Sequence, residues 1–419
     1  MGIFRFLLIL FFTVSFARAD DLSVTSRRIS IDTQYGTIDS VSSPVSNRAL
    51  GDFMTDFFDF NGFVFDQFDD LVGGERSAFI RVPSYLAFQT ALFLFVQEPL
   101  ALAYHELGHA TQIRALGFHP VYKFDGSDDS FSNFWTYAFN GMGDTDLGGT
   151  VTPGTEIFAT NHPDLALESG FGELNNPRYL VGGLNNEMLL AENLEEKSLL
   201  RNGHIMEGAS YVLSKAAAPL YIVYLPTVGD IVSAKNYYQS KNYKIDESDI
   251  EQASFMSLFL SSTSYAYAWN VFQYFLNGST EFKHFTYEGF KIPDLSFFLS
   301  TQGINHKINL GYHFDSINLW LLPSYEFVAK GGSGFEFTVD LIKEGKFWGL
   351  PSVYRLAPMI GEKSFSMNAS LTSVFAKVWS ATLGVSRMDA RGFWGERNIA
   401  SYKNGNVAHT GWIKLAFSY

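Results

Sequence analysis

The chain has 419 residues, a net charge of −13 and no cysteine. The acidic balance argues against a nucleic-acid partner, and the missing thiols exclude disulfides, thiolate metal ligands and a cysteine nucleophile. Aromatic residues are 16 % of the chain, with 41 Phe and 21 Tyr, which suits lipid contact or many strands more than an ordinary soluble enzyme.

Residues 1–19 read as a secretory signal peptide. Arg5 precedes an apolar run from Phe6 to Phe12, and the small-residue pattern Ala17-Arg18-Ala19 ends it. An N-terminal segment, 20–83, follows. Its "RRISIDTQYGTIDSV" suits a short strand pair, and the Phe- and Asp-rich residues 51–72 suit an amphipathic helix. Residues 84–117 predict one long helix, or two joined at Pro99, apolar almost all round before His105. The Gly- and Asp-rich residues 121–181 predict loops with short strands. Helices are predicted at 185–200, 207–225 and 248–276.

Near residue 285 the period changes from helical to two. "INHKINLGYHF" puts Ile304, His306, Ile308, Leu310, Tyr312 and Phe314 on one face, and "FEFTVDL" and "WIKLAFSY" alternate in the same way. Roughly seven or eight such segments of about ten residues, with an aromatic last residue, predict an antiparallel barrel of the outer-membrane kind over 286–419. The last ten residues resemble the closing strand of bacterial outer-membrane barrels. The expected fold class is α+β: a helical zincin-like domain, 84–285, followed by this β domain.

The chemistry sits in "AYHELGHATQ", 103–112. Two imidazoles four residues apart share one helix face and can reach one tetrahedral ion. Glu106, beside the first, points elsewhere and can reach a water on the metal. Zinc lowers that water's pKa towards about 7, and the carboxylate takes its proton. His105 and His109 are therefore expected as zinc ligands and Glu106 as general base.

A third ligand is needed. Glu187 shares a helical stripe with Leu190, Ala191 and Leu194, where a lone carboxylate is costly unless paired or bound to metal. Asp230 is the alternative; Glu192, His162, His204 and Asp146 are further candidates. His204, in "RNGHIMEG", is a possible oxyanion donor, and Asn186 a possible substrate contact or helix cap.

"HELGHATQIRALGF" resembles the zinc helix of metallopeptidases, and of site-2 proteases in particular. "VGGLNNEMLLA" is similar to their Gly-Pro-x-x-Asn segment, with Asn186 at the Asn and Gly183 where proline stands. "YLPTVGDI" is similar to their segment carrying the third metal ligand, which would make Asp230 that ligand, although the Leu-Asp-Gly order is absent. "NNE" at 185–187 also looks like the opening of the glutamate-ligand helix of thermolysin-like enzymes, with Ala191 where those carry Asp. These resemblances imply a Zn2+-dependent metallopeptidase of the bacterial cell envelope, acting on a protein or peptide. Lipid would be met through the β domain, and the protein would lie in the outer membrane or periplasm. The alternatives are a non-enzymatic outer-membrane protein with a passive metal site and an inner-membrane site-2-type protease.

Overall fold

A computed structural model describes residues 28–36, 47–72, 77–97, 100–101, 104–105, 108–109, 112, 119–121, 158–160, 180–201, 203–224, 230–376, 379–398 and 407–418. The expected signal peptide, Pro99 and Glu106 lie outside them, as do His162 and Asp146. The architecture is α+β, a group of helices set against one large antiparallel sheet.

The first described element, β1 (Arg28–Gly36), pairs with a strand at the far end of the chain, and the rest of the expected strand pair lies outside the described residues. Helix α1 (Asn47–Val72) is longer than its Phe-Asp pattern predicts. It buries Met54, Phe58 and Phe65, yet also Asp56 and Asp59, because Lys197 and Arg201 meet those carboxylates inside the molecule. Helix α2 (Ala78–Leu92) starts before the predicted 84–117 helix and continues into a π-helical turn, Phe93–Gln97; the expected joint at Pro99 lies outside the described residues. Beyond it, the described residues Leu100, Ala101, Tyr104, His105, Gly108, His109 and Gln112 are helical. From the region predicted as loops, β2 (His119–Val121) pairs with β3 (Phe158–Thr160).

Helix α3 (Gly182–Leu200), the two-residue β4 (Gly203–His204), α4 (Ile205–Tyr224) and α5 (Asp230–Ser240) follow. The predicted 248–276 helix is two helices, α6 (Glu247–Phe259) and α7 (Ser262–Asn277). Ser261 separates them, because its hydroxyl accepts from the Ser264 amide and caps α7.

The sheet then builds by hairpins. β5 (Glu281–Phe282) pairs with β4, and β6 (Thr286–Tyr287) starts the large sheet. It continues through β7 (Phe290–Ser300), β8 (Gly303–Phe314), β9 (Leu319–Gly331), β10 (Phe335–Phe347), β11 (Leu350–Gly361), β12 (Phe365–Ala376) and β13 (Trp379–Asp389). A short helix, α8 (Phe393–Asn398), precedes β14 (Val407–Ser418). The strand order is β1-β14-β13-β12-β11-β10-β9-β8-β7-β6. The sheet has two ends, at β1 and β6, and is not closed strand to strand among the described residues, unlike the closed barrel expected. The physical reason lies at β7. Its free edge is occupied by side chains from helices, and Pro293 supplies no donor there.

From β9 to β14 the sheet is apolar outside and polar inside. On β10, Phe335 and Phe337 are exposed while Glu336 and Asp340 are buried. On β13, Trp379, Leu383 and Val385 are exposed while Ser380, Thr382 and Ser386 are buried. On β14, Ile413 and Leu415 flank buried Lys414. The buried polar face turns to α1 and α3 through the pairs Lys414–Asp52, Arg355–Glu196 and Lys307–Glu192. A cavity of about 190 Å³ lies between them, and residues of all six strands β9–β14 line it. Six flat strands would span roughly 24 Å, so the sheet must curl around that cavity. A second, apolar core joins α3, α5 and α6 to β7 through Leu184, Met188, Ala234, Ile250 and Phe298.

Candidate metal centre

The helix that carries the motif is seated by small residues. A Cβ on Gly108 would lie 2.2 Å from the Gly182 carbonyl oxygen, and one on Gly183 would lie 2.3 Å from His105 Nε2. Only glycines let the first turn of α3 lie this close to the motif. Asn186, buried in that turn, donates from Nδ2 to the Tyr104 carbonyl at 2.9 Å. One turn after His109, Gln112 donates to the Arg397 carbonyl on α8 at 3.0 Å. Arg397 is itself fixed by two bonds to Glu326 on β9, 2.6 and 2.7 Å, and lies over the Phe298 ring of β7. The motif helix is thus tied to α3 on one side and to the sheet on the other.

His105 and His109 converge. Their Nε2 atoms are 3.2 Å apart, and each is 3.1 Å from Asp230 Oδ2. Asp230 is the first residue of α5, a helix end that favours a carboxylate. A tetrahedral ion with bonds of about 2.0 Å separates its ligand atoms by roughly 3.3 Å, so this triangle has the size such an ion requires. The donor set also fits, since two imidazoles and a carboxylate suit zinc. Asp230 Oδ2 is buried and meets the Nε2 atoms of both imidazoles, so all three donor atoms face one point.

Glu187 takes a different place from the one expected. Its Oε1 lies 3.1 Å from His105 Nδ1, on the far side of the ring from Asp230. A carboxylate only accepts, so Nδ1 carries the proton and Nε2 presents its lone pair to the triangle. Glu187 therefore orients His105, and Asp230, the alternative, is the carboxylate that joins the two imidazoles in a cluster that could hold a metal ion. The lone-carboxylate argument found a residue that needs a partner; the partner is an imidazole rather than an ion. The electrostatics agree. Burial disfavours a charge on His105, yet Glu187 and Asp230 outweigh it and hold its pKa well above the ordinary value. Burial likewise opposes charge on Asp230, but the two imidazoles outweigh it and keep the carboxyl ionised. The cluster calls for positive charge.

The remaining candidates go elsewhere. His204 is buried in a separate cluster, where Nδ1 accepts from the Met206 amide at 3.0 Å and Nε2 therefore donates to Asp66 at 3.0 Å. Both nitrogens are used, so the oxyanion role expected for it has no support. Glu192 pairs with Lys307 and Asn309 of β8. Asn186 braces the motif backbone and is not placed as a substrate contact. Sequence reasoning missed Tyr221, whose ring stacks on His105 at 5.8 Å between centroids and whose hydroxyl accepts from the Asp230 amide at 3.4 Å. Nothing in "LYIVY" marks it. Gly183 was noted only as a departure from a proline; its contact with the His105 ring is the reason a side chain is excluded there.

No family model, curated protein or solved structure matches the chain.

Proposed function

We propose that the chain is a zinc-dependent peptidase of the bacterial cell envelope whose β domain sits in a membrane. The observation that carries the hydrolytic half is the triangle of His105, His109 and Asp230 with Glu187 behind His105. Zinc held there would supply a Lewis acid and an acidified water. His105 and His109 offer neutral nitrogens, and Asp230 offers one oxygen. Glu187 keeps the His105 tautomer fixed. Glu106, adjacent to a ligand in sequence, serves as the base that accepts a proton during attack on a peptide carbonyl. Asp230 as third ligand is the position that the site-2-like resemblance implies, and Glu187 is the position the thermolysin-like one implies. The geometry therefore supports the former ordering of ligands.

The membrane half rests on the inverted sheet. A surface of Phe, Trp, Leu, Ile and Val outside and Ser, Thr, Asn, Lys and Glu inside is the polarity of a lipid-facing barrel wall. The exposed aromatics concentrate at two levels. Tyr325, Phe335, Phe337 and Phe365 lie at one hairpin end, and Phe375, Trp379 and Trp348 at the other, as interfacial girdles do.

Metal analysis of the full chain purified in detergent tests the site. Wild type should carry about one zinc per chain, and His105→Ala and Asp230→Asn should carry none. With zinc retained, Glu106→Gln should abolish cleavage of a peptide library. A folded wild type that takes up no zinc from a zinc-containing buffer would end this reading.

A further inference from the structure

The inverted polarity does not stop at the sheet. Helix α7 contains no charged residue, and its exposed face is Tyr265, Trp269, Phe272 and Leu276, 48 to 61 % exposed. Their spacing of four, three and four makes one continuous stripe. The opposite, buried face carries the polar groups. Thr263 bonds Asp294, Asn270 donates to the Lys283 carbonyl at 2.8 Å, and Tyr274 donates to Asp69 at 2.5 Å. Neighbouring α2 repeats the pattern. Phe79 and Leu86 are exposed, as is Leu94 in the π-helical turn that follows, while the only charged residue of α2, Arg81, is buried and donates to the Phe275 carbonyl at 3.3 Å. A helix in water does the reverse. Helix α5 does so here, exposing Asn236, Gln239 and Ser240.

A second observation concerns the β7 edge. An unpaired edge cannot face hydrocarbon, because its backbone groups would have no partner. At β7 the helices supply the partners. Lys215 of α4 donates to the Leu295 carbonyl at 2.6 Å, and Ser262 of α7 to the Ile292 carbonyl at 2.8 Å. Asn185 of α3 both donates to the Leu299 carbonyl at 2.8 Å and accepts from its amide at 3.0 Å. The helices do for β7 what another strand would do.

We propose that α7, with α2 beside it, forms part of the lipid-facing wall: the helices continue the sheet past β7, and the stripe Tyr265-Trp269-Phe272-Leu276 lies against acyl chains. The apolar surface runs on from the sheet through exposed Phe290 and Ile292 on β7. Among the described residues no helix is long and apolar enough to cross a membrane. The contact is therefore lateral and partial, over a helix of about 24 Å. Lipid is favoured over a protein partner because the stripe carries no charged residue, is continuous with the apolar outer face of the sheet, and its polar atoms are those of Tyr265 and Trp269, residue types that suit a lipid interface. The inference rests on the membrane reading of the sheet and is independent of the peptidase reading.

The absence of cysteine gives a clean test. Trp269→Cys, Phe272→Cys and Leu276→Cys are each labelled with an environment-sensitive fluorophore in the full chain. They are then placed in phosphatidylcholine–phosphatidylglycerol vesicles beside Leu383→Cys on the outer sheet face and Gln239→Cys on α5. The α7 labels should lose intensity with nitroxide-bearing acyl chains and resist iodide, as the label at 383 does and the one at 239 does not. Iodide quenching of the α7 labels with 383 still lipid-quenched would place the stripe in water and overturn the inference. Resistance to both quenchers would mean that protein covers it, which also overturns it. Iodide quenching at 383 itself would remove the membrane reading of the sheet and this inference with it.

Discussion

Two of the buried charge clusters among the described residues are built on opposite plans. The first is His105, His109, Asp230 and Glu187, in which an oxygen and two imidazole nitrogens converge on one point. The second joins α3, α4, α6 and β7. Lys291 pairs with Glu195 and lies 3.7 Å from Asp294; Tyr211 donates to Asp294 at 3.0 Å; Lys215 donates to Ser296 at 3.0 Å and Ser257 at 3.2 Å. Two ammonium groups face two carboxylates, so that cluster supplies its own counter-charge. Burial of charge is common to both. What separates the candidate site from the structural tie is charge balance: the second pairs two ammonium groups with two carboxylates, whereas in the first two carboxylates meet only imidazoles among the described residues.

The comparison breaks most readily at the closed cluster. Lys215→Met leaves one ammonium against two buried carboxylates and strips the Leu295 carbonyl of a donor, so the protein should lose about 3–5 kcal/mol of stability, read as a fall in melting temperature in detergent. An unchanged melting temperature would mean the second cluster is no tie at all. Next in size is metal removal. Chelation should destabilise wild type by roughly 2.7 kcal/mol relative to protein held at a hundredfold excess over Kd, and should leave Asp230→Asn where it was. Equal responses of the two proteins would erase the distinction between the clusters. Glu187→Gln sharpens it further, because a residue that only orients His105 should weaken zinc by about 10- to 100-fold rather than abolish binding. Complete loss, measured by competition with a metal dye, would return Glu187 to the ligand set.

The smallest effect concerns pH. His284 borders the closed cluster, accepting from or donating to Ser198 at 2.7 Å. Burial pushes its pKa down to about 3, with Lys291 adding to that and Asp294 opposing it. The unfolded chain binds a proton near pH 6.5 that the native state refuses until about pH 3. This contribution to stability is therefore complete above about 6.5 and is lost as pH falls from there towards 3. By pH 5.5 the loss should be on the order of 1 kcal/mol, and His284→Asn should flatten it. A wild-type melting curve already flat between pH 7 and 5 would contradict the assignment.

Much of this was legible in the sequence because it is periodic or local. The change of period near 285 precedes the start of the large sheet at Thr286, and the His-x-x-x-His spacing alone places two nitrogens on one helix face. What was illegible is non-local. Asp230 reaches the histidines because α4 and α5 fold it back over Tyr221; the "YLPTVGDI" resemblance pointed to Asp230, but no periodicity at 224–231 encodes that return. Glu187 could be recognised as a carboxylate in need, but a ligand and a ligand's neighbour need the same apolar stripe. The break between α6 and α7 was hidden by apolar periodicity that continues across it, although Ser261-Ser262-Thr263 is a capping signal in plain view. The strands' faces were separable by alternation. That the apolar face points outward was not, because alternation is the same for a sheet facing lipid and a sheet facing a core.

The pairing of β1 with β14 sets a condition on assembly. Arg28 meets Ser418 and Gly36 meets Thr410, so the first strand to be synthesised waits for the last. Almost the entire chain is the loop that closes when they join, an arrangement that lowers folding rates because the entropy is lost before the contacts form. Until then β1 has no strand beside it, and β14 has only β13. During biogenesis the molecule therefore carries two unmatched seams, the condition in which sheets recruit the wrong partner. Closure of β1 on β14 is therefore a late step in assembly of the described sheet.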